Sequence, residues 1–217
     1  LYCSGNQLTS LPNFPFIQYL YCESNQITSL LPYPNLLYLN CNYNQIESLP
    51  ILSNNLIELK CDHNFLKTLP SLPNSLVGLW CSENHLMALP KLPVNLNVLY
   101  CYGNHLFQLP ALPLTLTQLL CGSNLITMLP ALPNSLQNLF CDNNIHLTCL
   151  PKLPMGLTTL FYSGSGINCL PNATNTLNYP LCGSTCVSKP TCAGIVFNDV
   201  NMNGSFDLGI EHLLHKW

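Results

Sequence analysis

The sequence predicts a solenoid of short coils that stack and share one parallel β-sheet. Three observations lead to this prediction: a cysteine that recurs every 19 or 20 residues, an alternating apolar pattern before it, and a segment with two prolines after it. A coil of this length cannot bury its apolar face alone, so neighbouring coils must stack to form a continuous core. The recurring cysteines are Cys3, Cys22, Cys41, Cys61, Cys81, Cys101, Cys121 and Cys141.

The complete repeat reads L-x-x-L-x-C-x-x-N-x-L-x-x-L-P-x-L-P and is clearest from Leu76 to Pro93. Nine copies can be aligned. The first copy begins part-way, at Leu1, and the ninth carries Tyr162 and Ser165 in place of the cysteine and the asparagine. One extra residue lies within 144–147, between the last two copies.

The two halves of the repeat predict different local structures. Alternation in L-x-x-L-x-C directs the second leucine and the cysteine to the same face, as in a strand. Each proline in L-P-x-L-P removes a backbone donor and biases the preceding residue toward extended geometry, so this half cannot be helical. We therefore expect polyproline-like return segments and, because these need only a strand-like spacing of about 4.8 Å, gentle curvature.

With these motifs, residues 1–171 resemble leucine-rich repeats, in particular the short bacterial type of twenty residues that ends in L-P-x-L-P. The resemblance implies a right-handed leucine-rich repeat solenoid with a parallel β-sheet on its concave side, extended segments on its convex side and little helix. Cysteine stands where that type commonly has an aliphatic residue. Similar repeats precede a ubiquitin-ligase domain in secreted bacterial effectors, but nothing after residue 171 resembles such a domain.

The composition excludes several classes of protein. Charged residues make up 7% of the chain, against roughly 25% in a typical soluble protein. The net charge is -3 and arginine is absent, which argues against nucleic acid as a partner. Proline and asparagine interrupt every apolar run well short of about 18 residues, so membrane insertion is not expected.

An asparagine follows each recurring cysteine by three residues. A buried amide destabilises a fold unless it is hydrogen-bonded. We expect each amide to bond backbone groups that the sheet no longer serves at the bend after the strand, in its own coil and the next. This structural ladder consists of Asn6, Asn25, Asn44, Asn64, Asn84, Asn104, Asn124 and Asn144.

The recurring cysteines permit three interpretations. A chain of disulfides requires β-carbons about 3.8 Å apart, whereas neighbouring strands lie about 4.8 Å apart. A metal site requires ligands that converge from several directions, which one straight column does not provide. The favoured interpretation is that each thiol is a small apolar filler of the core.

The other five cysteines are candidates for disulfide bonds. A solenoid needs a cap over its last coil, and residues 172–192 are rich in cysteine where the repeat has ended. We interpret this segment as a disulfide-stabilised C-terminal cap formed in an oxidising compartment, with a zinc site as the alternative. The pairing is open, and the candidates are Cys149, Cys169, Cys182, Cys186 and Cys192.

The residue before each column cysteine is predicted to point outward from the sheet, and aromatic residues dominate this position. Exposed aromatic side chains indicate a site that binds a protein or a glycan. The alternative is that the rings stabilise the sheet by stacking between strands. Trp80 and Tyr100 are the strongest candidates. A neighbouring outward column adds Tyr19 and Tyr38, so the predicted partner-binding residues are Tyr2, Tyr19, Tyr21, Tyr38, Trp80, Tyr100, Phe140 and Phe161.

Residues 193–217 lack the leucine period and contain D-x-N-x-N-G-x-x-D from Asp199 to Asp207. Oxygen ligands on alternate residues and a glycine at the sixth place are typical of a calcium loop. The segment also resembles the start of the calcium-binding B-type repeats of bacterial surface adhesins, which are immunoglobulin-like β-sandwiches. The predicted calcium ligands are Asp199, Asn201, Asn203, Ser205, Asp207 and Glu211, with Glu211 one place later than in an EF-hand.

These features together predict a non-catalytic binding or adhesion module, part of a longer extracellular or cell-surface bacterial protein. No nucleophile, base and orienting acid recur at a recognisable spacing, so we do not expect an enzyme. The alternative function is a structural subunit that self-assembles through neutral flanks, since no charged residue lies between Lys91 and Asp142. His85 and His105 occupy equivalent places in adjacent coils and are predicted to be polar, solvent-facing residues.

The calcium loop can be tested by limited proteolysis. We expect millimolar calcium to slow cleavage of residues 193–217, because bound calcium orders the loop that supplies its ligands. Asp199→Ala should abolish this protection. Cleavage of the tail at the same rate with calcium and with EDTA would contradict the prediction.

Overall fold

The computed structural model describes residues 1–167, 170 and 171, which all lie within the unit Leu1–Cys182. The predictions for Cys169, for the cap at 172–192 and for the calcium loop at 193–217 lie outside these residues. In the described part of the chain there is no helix, and therefore none long and apolar enough to cross a membrane.

Among the described residues, eight strands of three residues each form one parallel sheet, in which strand order follows chain order. This arrangement confirms the predicted solenoid, because each coil adds one strand beside that of the coil before it. The strands are β1 Tyr19–Tyr21, β2 Tyr38–Asn40, β3 Glu58–Lys60, β4 Gly78–Trp80, β5 Val98–Tyr100, β6 Gln118–Leu120, β7 Asn138–Phe140 and β8 Thr159–Phe161.

The register keeps equivalent residues of the repeat side by side. The central leucine of each strand pairs with the central leucine of the next, as Leu79 does with Leu99. An isolated parallel bridge between Tyr2 and Tyr21 continues the sheet beyond β1. Leu139 still pairs with Leu160, so the extra residue within 144–147 is accommodated outside the sheet.

The core is a continuous stack of leucine, isoleucine and cysteine side chains. In the coil of β4, Leu76, Leu79, Cys81 and Leu86 are fully buried, and the same places are buried in the neighbouring coils. Removing this apolar surface from water is the main favourable contribution to folding. Because each layer is closed by the layers on either side, the coils depend on one another for stability.

The prolines turn the chain back toward the sheet. The carbonyl oxygen of Pro73 accepts a hydrogen bond from the backbone N–H of Leu76 at 3.1 Å, and Pro93 and Leu96 repeat this contact at the same distance. A bond between residues three apart closes a tight turn. Proline lacks an N–H but keeps its carbonyl oxygen, so it fits this position without loss of a donor.

The bend after each strand requires a left-handed residue. His63, Glu83 and Asn143 each have a φ of 53°, a region that disfavours residues with a β-carbon. The backbone N–H of Glu83 donates to the carbonyl oxygen of Tyr102 in the next coil at 2.8 Å, which helps to hold this conformation. Glycine serves at the same place in Gly103, where a β-carbon would lie 2.7 Å from the Glu83 carboxylate.

The asparagine ladder bonds the bend to the coil before it. The amide nitrogen of Asn84 donates to Cys81 and Ser82 in its own coil and to Cys61 in the preceding coil, at 3.0 to 3.3 Å. Its carbonyl oxygen accepts the backbone N–H of Leu66, also in the preceding coil, at 3.0 Å. The prediction that the amide bonds to the next coil is therefore wrong, because the bonds between coils reach the preceding coil.

The end of the ladder differs from its interior. Asn25, Asn44, Asn64, Asn84, Asn104, Asn124 and Asn144 are buried. Asn6 lies in the first coil and is exposed, and its amide nitrogen donates to Cys3 and Ser4 of its own coil. The ladder asparagines that follow a preceding coil are thus buried, whereas Asn6, which has no described coil before it, is exposed.

Replacing an interior ladder residue should destabilise the solenoid. We expect Asn84→Ala to lower the free energy of unfolding by about 1–3 kcal/mol, because a buried N–H and buried carbonyls lose their partner. Urea denaturation followed by circular dichroism measures the change. Asn6→Ala is the matched control and should cost less than about 0.5 kcal/mol, since Asn6 is exposed. Equal effects of the two substitutions would contradict the ladder's role.

Candidate functional site

The first and third residues of each strand lie on the solvent face of the sheet, because the residue between them is buried. The structure places all the predicted partner-binding residues on this face. We call them the aromatic strip; their role in binding stays a prediction. The strip consists of Tyr2, Tyr19, Tyr21, Tyr38, Trp80, Tyr100, Phe140 and Phe161.

Four tyrosines at one end of the strip form two stacked pairs. The ring centroids of Tyr2 and Tyr21 lie 4.8 Å apart with planes 2° from parallel, and those of Tyr19 and Tyr38 lie 5.3 Å apart at 6°. Strand side chains stand roughly perpendicular to the sheet. The ring faces are therefore turned toward each other, and the ring edges with their hydroxyl groups point to solvent.

The Tyr21 hydroxyl group is a hydrogen-bond donor at neutral pH. Partial burial raises the pKa of the Tyr21 phenol, and the nearby Tyr2 and Glu58 add to this rise. A raised pKa keeps the proton on the hydroxyl group. Tyr21 thus presents a neutral hydroxyl group that can both donate and accept hydrogen bonds.

Trp80 lies folded against the sheet. A β-carbon on Gly78 would collide with the six-membered ring of Trp80, so the indole covers the glycine backbone, which is buried. The amino group of Lys60 lies 4.8 Å from the indole centroid, and Tyr100 packs edge-on with centroids 5.9 Å apart. Much of the indole surface is covered by these neighbouring residues, which favours a sheet-stabilising role for Trp80.

The middle of the strip carries an ion pair and a polar contact. Lys60 and Glu58 lie 3.6 Å apart, each about one third exposed. The Tyr100 hydroxyl group donates to Gln118 Oε1 at 2.7 Å. At the other end, Phe140 and Phe161 stack with centroids 5.7 Å apart. The face therefore changes from hydroxyl groups, through paired charges, to purely apolar rings.

The described residues do not assemble a metal centre. Among them, no group of three or more His, Cys, Asp or Glu side chains is placed to hold an ion. His85 and His105 are exposed and stack with centroids 5.8 Å apart, as expected from their equivalent positions. The predicted calcium ligands lie outside the described residues.

The column cysteines are free thiols in the core. Several of their sulfur atoms donate to backbone carbonyl oxygens of the following coil, as Cys61 does to Trp80 at 3.3 Å and Cys81 to Tyr100 at 3.4 Å. Burial raises the pKa of Cys22 and of Cys141 to about 12, and it raises the pKa of Cys101 well above its usual value. Protonated, buried thiols are poor nucleophiles and poor metal ligands.

Sequence reasoning missed two features. The thiol hydrogen bonds were not anticipated, because the cysteines were interpreted as apolar fillers. The exposed side chains Met87 and Phe107 were also overlooked. They lie two residues after His85 and His105, at the same place in successive repeats, and this shared place is the signal that identifies them.

The described coils match solved leucine-rich repeat structures. A leucine-rich repeat domain of a Shigella effector is 34% identical with a TM-score of 0.57, and the match covers 60% of each chain. The functional domain of InlJ from Listeria monocytogenes, described as including a cysteine ladder, is 19% identical with a TM-score of 0.53 over 77% of this chain and 54% of InlJ. YopM from Yersinia enterocolitica is 28% identical with a TM-score of 0.46 over 82% of this chain and 53% of YopM.

The matches span little more than half the length of these proteins. No protein-family model matches the chain, and no curated protein matches it. The parallel sheet of stacked coils and the likeness to the Shigella and Listeria structures show that the chain has the leucine-rich repeat solenoid fold.

The buried thiols should make stability fall in alkaline solution. Above about pH 8.5, thiols of the unfolded chain ionise while the folded thiols keep their protons, so each buried thiol should cost about 1.4 kcal/mol per pH unit. For Cys22 and Cys141 the loss should continue until about pH 12. Urea denaturation at a series of pH values from 8 upward, to about 10.5, measures the slope.

Removal of one thiol isolates its contribution. Cys101→Ala should reduce the slope by about 1.4 kcal/mol per pH unit, whatever its effect on stability at neutral pH. An identical slope in the wild type and in Cys101→Ala would contradict the assignment of alkaline unfolding to the column cysteines.

Proposed function

We propose that this chain is a non-catalytic protein-binding module of an extracellular or cell-surface bacterial protein, and that the aromatic strip contacts the partner. One observation carries the proposal. The Tyr2, Tyr19, Tyr21 and Tyr38 side chains form two stacked pairs on the solvent face of the sheet. Tyrosine is enriched at protein interfaces because it combines apolar area with a hydrogen-bonding group.

The stacking favours a protein over a glycan as the partner. A sugar ring packs its apolar face against a free aromatic face, whereas Tyr2 and Tyr21, with ring centroids 4.8 Å apart, each cover one face of the other. Ring edges and hydroxyl groups suit the alternating donors and acceptors of a polypeptide backbone. The rings are also held in place by their neighbours, so little conformational entropy is lost on binding.

The charge of the face limits the partner further. Lys60 and Glu58 neutralise each other at 3.6 Å, so the centre of the strip has no net charge. Such a surface gives little electrostatic steering and should bind a neutral or mixed-charge partner with weak dependence on salt. Adhesion to another cell through this face is one use of such a module.

The likeness to the Shigella effector domain supports a role in interaction with other proteins, since that domain is described as part of an effector. A scaffold of stacked coils presents a long surface that recognition can use. Catalysis is not part of the proposal, because the described face does not bring a nucleophile, a base and an orienting acid together.

The proposal is tested with peptides selected from a random displayed library against the full chain, and fluorescence anisotropy gives their affinities. Tyr19→Phe together with Tyr38→Phe keeps the stacked rings and removes two hydroxyl groups. We expect roughly fivefold weaker binding for each hydroxyl group, since a net hydrogen bond is worth about 1 kcal/mol. Tyr2→Ala should weaken binding more, because it removes a ring from the contact surface.

Leu114→Ala is the matched control. Leu114 is an exposed apolar residue outside the sheet, and its truncation should leave the affinity unchanged. Selected peptides that bind the tyrosine variants as tightly as the wild type would contradict the assignment of the site. Displacement of the selected peptides by oligosaccharides would show that the partner is a glycan.

A further inference from the structure

Two histidines stand side by side in the segment that follows the bend. His85 and His105 each lie four residues after a column cysteine, in adjacent coils, and both are exposed. Their ring centroids are 5.8 Å apart, with planes 13° from parallel. Because they follow the bend, they lie outside the aromatic strip, and a role for them does not depend on what the strip binds.

The backbone fixes the spacing of the two side chains. The N–H group of His85 donates to the carbonyl oxygen of Leu66 in the preceding coil at 2.9 Å. The N–H group of His105 donates to Leu86 in the same way, also at 2.9 Å. Leu86 and Leu106, which follow the two histidines in sequence, are fully buried in the core. The main chain is therefore anchored on either side of each histidine, and only the exposed rings are free to turn.

This spacing suits two imidazole rings that bind one metal ion. Zinc–nitrogen bonds are about 2.0–2.1 Å long, and tetrahedral coordination places the centroids of two imidazole rings about 5 Å apart. The observed separation of 5.8 Å is close to this value. In the stacked arrangement the ring nitrogens do not converge, so both rings must turn about their Cβ–Cγ bonds to meet one ion. Exposed side chains make such rotations within nanoseconds.

A carboxylate close to the pair favours a cation. Glu83 precedes His85 by two residues, and a β-carbon on Gly103 would lie 2.7 Å from its carboxylate. Gly103 in turn precedes His105 by two residues, so the carboxylate reaches from the coil of one histidine to the coil of the other. A negative charge near the site attracts a positive ion, although solvent weakens the attraction at an exposed position.

We propose that His85 and His105 together bind one divalent transition metal ion, such as zinc, through one nitrogen of each ring. Imidazole is a common ligand of zinc, copper and nickel, whereas magnesium and calcium prefer oxygen ligands. Phe65 and Leu125 occupy the same place in the coils on either side, and neither is a metal ligand. The site is therefore confined to the two coils that carry the histidines.

The site is open rather than closed. Two protein ligands are fewer than the three or four of a catalytic or structural zinc centre. Among the described residues, no third His, Cys, Asp or Glu side chain completes the group. The ion is therefore held weakly, and its remaining positions are available to water or to a ligand from another molecule.

Protection from diethylpyrocarbonate, a reagent that modifies imidazole nitrogens, tests the site in the full chain, because mass spectrometry reads each histidine separately. Zinc is added from about 1 μM to about 1 mM, the range of weak complexes. His85 and His105 should become protected together, with the same half-saturation concentration. His63 and His146 should stay reactive, because both are exposed but neither has a histidine at the same place of a neighbouring coil.

Single substitutions show whether the two rings act as one site. His105→Gln should raise the zinc concentration that half-protects His85 by roughly tenfold or more, because the second ligand of a linked pair acts at a high effective concentration. His85→Gln should have the same effect on His105. His63→Gln is the matched control and should leave the protection of both unchanged. Circular dichroism should show the same fold in all variants, since the replaced side chains are exposed.

Three results would overturn the proposal. The first is that millimolar zinc protects neither histidine. The second is protection of His85 that His105→Gln does not weaken, which would show that each ring binds an ion by itself. The third is equal protection by magnesium, which would exclude coordination by the imidazole nitrogens.

Discussion

Backbone groups at the bend after each strand impose the constraint on which the structure depends. The chain leaves the sheet there, and its N–H and carbonyl groups would be buried without partners if no side chain served them. The ladder asparagines bond these groups in two coils at once, as Asn84 does with Cys81, Ser82, Cys61 and Leu66. The same bonds repeat from coil to coil, so every bend has nearly the same geometry.

A fixed bend geometry makes the surface regular as well as the core. Side chains at equivalent places stand one rung apart, which is within stacking distance for aromatic rings. This explains the Tyr2–Tyr21 and Tyr19–Tyr38 pairs on the sheet and the His85–His105 pair beside it. Residues that the fold does not need are free to vary, and the functional surfaces must be sought among them.

The repeat made the fold predictable, and three-dimensional detail accounts for what sequence reasoning missed. Periodicity identifies the ladder of Asn84 but not whether its side chain reaches forward or back, because that depends on the path of the chain through the bend. Periodicity predicts that Trp80 points outward from the sheet, but it does not predict which rotamer the side chain adopts. Gly78, two residues earlier on the same face, is the sequence signal that leaves room for the indole to fold down. The exposed Met87 and Phe107 side chains are found only when equivalent places are compared across repeats rather than within one.

The extra residue within 144–147 has a consequence for how such chains can change length. Its coil closes through a turn in which the N–H of Leu147 donates to Asn144 at 2.9 Å, while Ile145 projects into solvent. Strand pairing at Leu139 and Leu160 is undisturbed. Turns at this place can therefore accept longer loops or inserted domains during evolution, while the strands of the sheet keep their register.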